Sequence, residues 1–482
     1  MFLPDNSIFT PVVDPNMDPN RTANHRLSVE ARIASFDEVD ATYTEEEALN
    51  ESSRCLKCPT HWCQKACPAG VPVTDFVAKV RAKDYEGAYQ LIRSASMLPE
   101  MCSRVCPQEN QCQSNCTRGI RGQAVGIGRL ERFVIDEHYR SGKLDAAQAS
   151  NGKRVAVIGS GPSGLSVAER LTDKGFAVTV YEGADRVGGL LEYGIPNMKL
   201  EKGVVARKAE AMQKRGVEFK LGTPVDASNA AEIVKAYDAV ILCAGTGNAR
   251  TLKLEGGENV RGIVPAVEYL TASTKAVLDG DEPTFAQGKQ VVVVGGGDTG
   301  SDCVGTAIRQ GCAGLTQIEM LPENPVPAYI HYVYPVHEPE HKVDTSMQEC
   351  EQVFGKDPHV YQTTVKAVEA DAEGNLTAVV TVDLAASYDE GRRLTLTEIP
   401  GSEKKLPCEM LIVAAGFVGP KAELAKAFGV ETNARTNIAA NGFTTNVPGV
   451  YACGDCRTGQ SLVVKAMVDG RNCADAVAET LK

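Results

Sequence analysis

Eight of the chain's sixteen cysteines fall in two tight runs, Cys55-x2-Cys58-x4-Cys63-x3-Cys67-Pro68 and Cys102-x3-Cys106-Pro107-x4-Cys112-x3-Cys116. Short spacing closed by Cys-Pro is how a chain wraps thiolates around a cubane of iron and sulfide, because successive turns must aim several sulfurs at one core. Eight thiolates suffice for two four-iron clusters. They would equally satisfy two all-thiolate zinc sites. A disulfide framework belongs to small secreted domains, whereas this chain has 482 residues and opens on Met1-Phe2-Leu3-Pro4 without a charged-then-apolar leader. Trp62, the single tryptophan, lies inside the first run, where packing beside a cluster is the expected role.

Two glycine turns follow. Gly159-Ser-Gly161-Pro162-Ser163-Gly164 closes the apolar run Arg154–Ile158 and opens an amphipathic stretch from Leu165 to Lys174. In such a turn the first glycine permits the bend, the second lets backbone approach a pyrophosphate, and the third lets helix and strand pack closely. The phosphates then sit on the positive end of the helix. Glu182, ending the run from Ala177, is placed to accept a ribose hydroxyl. Downstream, Gly188-Gly189-Leu190-Leu191 offers another close backbone approach, the run from Ala239 ends at Gly245, and Gly454-Asp455 ends a late strand with an acid suited to ribityl hydroxyls. The segment Gly459 to Lys465, holding Ser461, Leu462 and Val463, should start a helix aimed at a flavin ring. There a helix N-terminus would stabilise negative charge on reduced flavin. These features assign FAD.

The second turn, Gly295-Gly-Gly297-Asp298-Thr299-Gly300, follows Val291–Val294 and should hold the nicotinamide nucleotide, with Gly416 ending the run from Met410. A 2′-phosphate wants an arginine near the end of the second strand, yet none occurs between Arg309 and Arg392. Glu319 instead suits a free 2′-hydroxyl, so the nucleotide is NAD(P)H with a leaning towards NADH. Cys453 and Cys456 have the spacing of a redox dithiol, an alternative to the flavin-binding duty of the Gly-Asp pair between them. His331, His337 and His341 read as loop or surface residues rather than ligands.

Helices and strands must hold these groups. Phe76, Val77, Val80, Tyr85, Ala88, Leu91 and Ile92 recur at helical spacing through the segment Val73 to Ala95, between the Cys runs. The opening, down to about Asp40, reads as an extended arm, and Ser141 to Gly152 as a linker. From Lys153 onward strand and helix alternate, and the runs Ala239–Gly245 and Met410–Gly416 echo each other. The expected fold is α/β: two Rossmann-like dinucleotide-binding domains, one inserted in the other, preceded by an α-helical iron–sulfur domain. The division is a helical domain with two 4Fe-4S clusters over 1–145, an FAD-binding domain over 146–275 and 408–482, and an NAD(P)H-binding domain over 276–407.

A net charge of −12 argues against nucleic acid, which needs clustered excess Lys and Arg. No apolar run approaches the length that spans a bilayer, so no membrane partner is expected. Free thiols and oxygen-sensitive clusters fit a reducing cytoplasm.

The order of clusters and loops, with Ser53-Arg-Cys-Leu-Lys-Cys58, Pro99-Glu-Met-Cys-Ser-Arg-Val-Cys-Pro107, Ile127-Gly-Arg-Leu-Glu-Arg132, Gly188-Gly-Leu-Leu-Glu-Tyr-Gly-Ile-Pro196 and Gly295-Gly-Gly-Asp-Thr299, resembles the glutamate synthase small (beta) subunit family across nearly the full length. The chain is also similar to the large subunit of NADH-dependent ferredoxin:NADP oxidoreductase and to the N-terminal half of dihydropyrimidine dehydrogenase. The resemblance implies interleaved clusters, with Cys55, Cys58, Cys63 and Cys116 on one and Cys67, Cys106 and Cys112 on the other. It implies Glu131 as the last ligand of the second cluster, leaving Cys102 a bystander. Spacing alone keeps open four cysteines from each run, Cys102 included. Where the family grips an NADPH phosphate with Tyr-Arg-Arg, this chain has Glu319-Met320-Leu321.

The resemblance further implies hydride transfer from NAD(P)H to FAD, then single-electron steps to a larger catalytic subunit in a hetero-oligomer. A ferredoxin-like acceptor is the alternative, and a non-catalytic electron-carrying adaptor is a reading of another class.

Overall fold

The computed structural model describes residues 15–323, 344–389 and 393–482. His331, His337 and His341 lie outside them.

Two parallel sheets organise the chain after residue 150. The first has the order β14 (Val450–Ala452), β4 (Ala239–Leu242), β1 (Arg154–Ile158), β2 (Ala177–Tyr181), β3 (Glu218–Lys220). The second has the order β5 (Ile263–Pro265), β13 (Met410–Val413), β6 (Gln290–Val294), β7 (Gly314–Ile318), β8 (His359–Val360). A parallel sheet is covered on both faces, so its strands are apolar throughout, with neighbouring residues feeding different cores. Val155 and Val157 of β1 join one cluster and Ala156 and Ile158 another. In β6 the same split separates Val291 and Val293 from Val292 and Val294.

The sheets shift the seams expected at 275 and 408. β5 and β13, which that division gives to the FAD unit, pair in register with one another, and β13 pairs with β6. The chain therefore crosses between the two sheets in the segments 243–262 and 414–449, and the crossings run side by side where Val418 N donates to Asn248 O and Arg250 N to Gly416 O, each at 2.8 Å.

A third sheet is antiparallel, built around β10 (Leu376–Tyr388), which pairs with β9 (Thr363–Ala370), β11 (Leu394–Glu398) and β12 (Lys404–Pro407). Val365, Val368, Leu376 and Val379 from this sheet pack on Val292, Val294 and Ile318. It covers one face of the second sheet, while the helices Ala266–Asp279 and Asp298–Arg309 pack on the other.

The N-terminal unit is helical. The segment between the Cys runs is helical as its spacing implies, in two helices, Val73–Arg81 and Tyr85–Ala95; Lys83, at φ 58°, breaks the path and Asp84 caps the second by accepting from Gly87 N at 2.9 Å. The opening arm contains the helix Val29–Ile33, capped by Ser28. Its Arg32 is buried against Gln348 and Glu349, so the arm straps the N-terminal unit to the nucleotide-loop side of the second sheet. Met97, Leu98 and Met101 belong to the same apolar core as Val155, Leu165 and Met467, which fixes the helical unit on the first sheet.

Candidate functional site

The first glycine turn ends β1 and starts the helix Pro162–Thr172. Gly159 has φ 104°, and a Cβ there would lie 2.7 Å from Cys243 O. A Cβ on Gly164 would lie 1.9 Å from Gly159 O, so helix and turn touch at that point. At Gly161 a Cβ would meet nothing within 4 Å: the protein leaves this spot open, as a backbone cradle for a pyrophosphate requires. Gly189, at φ 56°, closes over the turn, its Cβ position 3.0 Å from Gly161 Cα. Ser163 backs against Gly454 and against Gly470 of the helix Val463–Thr480. Gly245 follows β4 at φ 65°.

The second turn repeats this geometry. A Cβ on Gly300 would lie 1.9 Å from Gly295 O, and one on Gly297 would again meet nothing within 4 Å. The acids that end the second strands also match. Glu182 accepts from Ser160 N at 2.9 Å and Ala184 N at 2.8 Å; Glu319 accepts from Gly296 N at 2.7 Å and Leu321 N at 2.8 Å. Each carboxylate thus pins its glycine turn to the following loop. Ser160, within the motif but not singled out from sequence, extends this pin: its Oγ donates to Glu182 at 2.6 Å and accepts from Gly188 N at 2.9 Å.

A cavity of about 1200 Å³ joins the three units. Its wall brings together Gly295, Gly297, Asp298, Thr299, Glu319 and Gly416 with Leu190, Asp455, Ser461, Leu462 and Val463, and adds Cys106. Gly159, Gly161, Gly164, Glu182, Gly189, Gly245 and Gly454 lie off this wall, around the ends of β1 and β4. The helix expected to start within 459–465 begins at Val463. Ser461 Oγ donates to Asp455 at 2.6 Å, and burial pushes the Asp455 carboxyl up. Gln460 accepts from Phe417 N at 2.8 Å, locking one crossing segment against the segment before this helix.

Two lysines on the cavity side carried no sequence signal, because their roles depend on residues distant in the chain. Lys199, in the cavity wall, holds Asp302 at 2.5 Å and Asp344 at 3.3 Å, both buried. Lys202 is buried and donates to Leu191 O at 2.8 Å, tying the loop after Gly189; burial pushes it down to about 8.

The thiols face one another across the two runs. Cys55, Cys58, Cys63 and Cys116 form one group in which every pair is within electrostatic reach. Cys67, Cys106 and Cys112 gather around Glu131. Cys102, buried in the helix Pro99–Val105, hydrogen-bonds to Cys106. Burial pushes Cys55 up to about 11 and Cys63 up to about 12, so these thiols lose their protons to a metal rather than to water. Glu131 Oε1 is buried with no hydrogen-bond partner, and burial, then Glu100, pushes the carboxyl up to about 8. A buried carboxylate oxygen with no hydrogen-bond partner, set amid three thiols, is a donor set whose chemistry fits a metal cluster.

Cys453 faces Cys243 of the neighbouring strand end, Sγ to Sγ 3.4 Å, while Cys456 donates to Leu242 O at 3.2 Å and Cys453 O at 3.1 Å. The Cys453–Cys456 pair is therefore engaged elsewhere and fully buried.

Known proteins share this arrangement. Residues 32–143 match the family model described as dihydropyrimidine dehydrogenase domain II, 4Fe-4S cluster, and residues 153–470 match the one described as pyridine nucleotide-disulphide oxidoreductase. The glutamate synthase [NADPH] small chain of Bacillus subtilis is 36% identical over 463 residues, covering 92% of this chain and 93% of that protein. The chain belongs to the glutamate synthase small-chain family. The Escherichia coli small chain is 32% identical, with 97% and 98% covered. The glutamate synthase [NADH] of Schizosaccharomyces pombe is 36% identical over 95% of this chain but only 22% of its own length. FprA of Mycobacterium tuberculosis in complex with NADPH superposes with a TM-score of 0.53 at 17% identity over 68% of this chain and 84% of that one, which shows a shared fold. As a member of the glutamate synthase small-chain family, the chain is an NAD(P)H-dependent flavin oxidoreductase with a 4Fe-4S domain. No helix among the described residues is long and apolar enough to cross a membrane.

Proposed function

We propose that the chain is the NADH-oxidising subunit of a glutamate synthase, holding FAD at the first glycine turn, NADH at the second and two 4Fe-4S clusters in the N-terminal unit, and passing electrons to a larger subunit in the cytoplasm. The cavity carries this reading: it sets the nucleotide turn, the loops flanking Val463 and the Cys106 thiol around one space. A flavin bound there would supply the two-electron to one-electron conversion. The protein binds and orients. Gly161 and Gly297 leave room for diphosphates, and Glu182 and Glu319 hold each turn in shape. The N-terminus of the Val463–Thr480 helix lies in the cavity wall, and negative charge is favoured near a helix N-terminus. Cys55, Cys58, Cys63 and Cys116 would hold one cluster and Cys67, Cys106, Cys112 and Glu131 the other.

NADH is favoured over NADPH because Glu319 sits where a 2′-phosphate would bring its own charge, and Met320-Leu321 offers no cation. A larger partner is favoured because the Schizosaccharomyces pombe relative carries a matching segment as 22% of one long chain. The test is anaerobic NADH oxidation by the chain with its large subunit, expected to require both glutamine and 2-oxoglutarate. A complex that fails to oxidise NADH with both substrates present, yet reduces a ferredoxin, would replace this reading with a ferredoxin-linked one.

A further inference from the structure

The first thiol group lies at a surface whose charge opposes that of the chain. Residues 54–67 contain Arg54, Lys57 and Lys65 but no Asp or Glu, and residues 111–122 contain Arg118 and Arg121 and again no acid, in a chain of net charge −12. Arg54 and Arg118 are buried and committed, to Glu51 at 2.7 Å and to Asp18 O. Lys65 and Arg121 are exposed and Lys57 half-buried, and among the described residues none of the three pairs with a carboxylate. Lys57 adopts φ 50°, a left-handed conformation that costs a non-glycine residue energy, and its N–H serves the Cys55 sulfur. The turn that wraps the thiol thus carries this lysine. Lys65 lies over the Trp62 ring at 4.5 Å, and Ile120, beside Arg121, is 41% exposed. Cys58 and Thr117, 3.3 Å apart, bring the two loops together. Of the second group, Cys106 lines the interior cavity and Cys67 lies beside Lys65 at the edge of the same basic surface.

We propose that these loops form a basic docking face for an acidic, electron-accepting protein surface, with Lys57, Lys65 and Arg121 around an apolar centre of Trp62 and Ile120. The proposal rests on the two-cluster reading above and adds the exit face and the sign of the partner's charge. Each encounter oxidises the chain by one electron and reduces the acceptor by one, with no bond formed or broken; NADH supplies the electrons. Uncompensated charge steers such encounters and makes their rate depend on salt.

The holoprotein and its Lys57→Glu/Lys65→Glu/Arg121→Glu variant, each reduced with NADH under argon, are mixed with two probes: an acidic [2Fe-2S] ferredoxin and cationic cytochrome c. The variant should lose about tenfold or more in rate towards ferredoxin at low salt, gain towards cytochrome c, and invert both salt dependences. A glutamine triple variant should fall between. Rates that change alike for both probes, as they would if the cations only offset thiolate charge and set a potential, overturn the proposal; so do unchanged rates. Iron and sulfide assays together with flavin bleaching by NADH separate this failure from that of the reading beneath it. A wild-type chain lacking iron would sink both, whereas a loaded chain indifferent to acceptor charge sinks the docking face alone.

Discussion

Glu131 is one residue on which the proposed cluster chemistry turns. Its Oε1 is buried and without a hydrogen-bond partner among Cys67, Cys106 and Cys112, while Cys102 sits one helical turn before Cys106 and hydrogen-bonds to it. If the carboxylate is the fourth ligand, Glu131→Leu should drop iron from about eight to about four per chain, whereas Cys102→Ser should keep all eight. Iron and acid-labile sulfide assays on anaerobically purified protein decide it; the opposite pattern makes Cys102 the ligand. Lys202 gives a prediction of another kind. Its folded value is pushed down to about 8 from 10.5 by burial. Between those two values the unfolded chain holds the proton and the folded chain does not, so stability rises with pH across that window. Lys202→Gln keeps donors for Leu191 O without the charge, so its melting temperature, measured from pH 7 to 10, should lack this rise.

At the scale of elements, each glycine turn contains a packing position and an open one, and substitution separates them. Gly164→Ala and Gly300→Ala drive a Cβ to within 1.9 Å of backbone and should destabilise the first and second sheet units respectively. Gly161→Ala and Gly297→Ala meet no protein atom within 4 Å, so the fold should survive. In each, the new methyl occupies the phosphate approach. Gly161→Ala should weaken FAD, and Gly297→Ala should weaken NADH while sparing FAD, by about tenfold or more, the effect of 1.4 kcal/mol. Flavin content after gel filtration and NADH titration of flavin bleaching test the pair. These turns were legible from sequence because glycine spacing reports a steric demand directly. The echo between Ala239–Gly245 and Met410–Gly416 was also sound, since β4 flanks β1 as β13 flanks β6. Seams placed at 275 and 408 contradicted that echo by giving both runs to one unit. The break at Lys83 was not legible, because apolar spacing continues in phase across it. Nor was the antiparallel sheet, although Thr and Val crowd β9 and β10 and Gly374 turns between them at φ 81°; what those strands cover becomes clear only with the exposed face of β6 in view.

At the scale of the molecule, the proposed electron route from the cavity requires the helical unit to be seated on the first sheet. A buried ionic network does this. Arg93, from the helix between the Cys runs, meets Glu169 at 2.5 Å and Asp173 at 2.8 Å on the helix after the first glycine turn, and Asp145 where the helical unit ends. Arg215 meets Glu169 at 2.7 Å from the other side, and Lys208 lies between Glu169 and Glu100 at 3.4 and 3.5 Å. The network's charges span helical unit and sheet unit, so its geometry reports their registration, and sequence spacing holds no trace of it. Removing one partner of such a network leaves the others buried and uncompensated, at a cost of about 3 kcal/mol. Arg93→Met should therefore lower unfolding stability by about that amount in urea titrations. It should also uncouple the units: NADH should bleach the flavin at the wild-type rate, because Arg93 touches neither glycine turn nor cavity, while the iron–sulfur electron paramagnetic resonance signal should develop more slowly. Slowing of both events together would mean that Arg93 supports the sheet unit itself, and equal rates in both would mean that the apolar contact of Met97, Leu98 and Met101 with Met467 seats the helical unit without it.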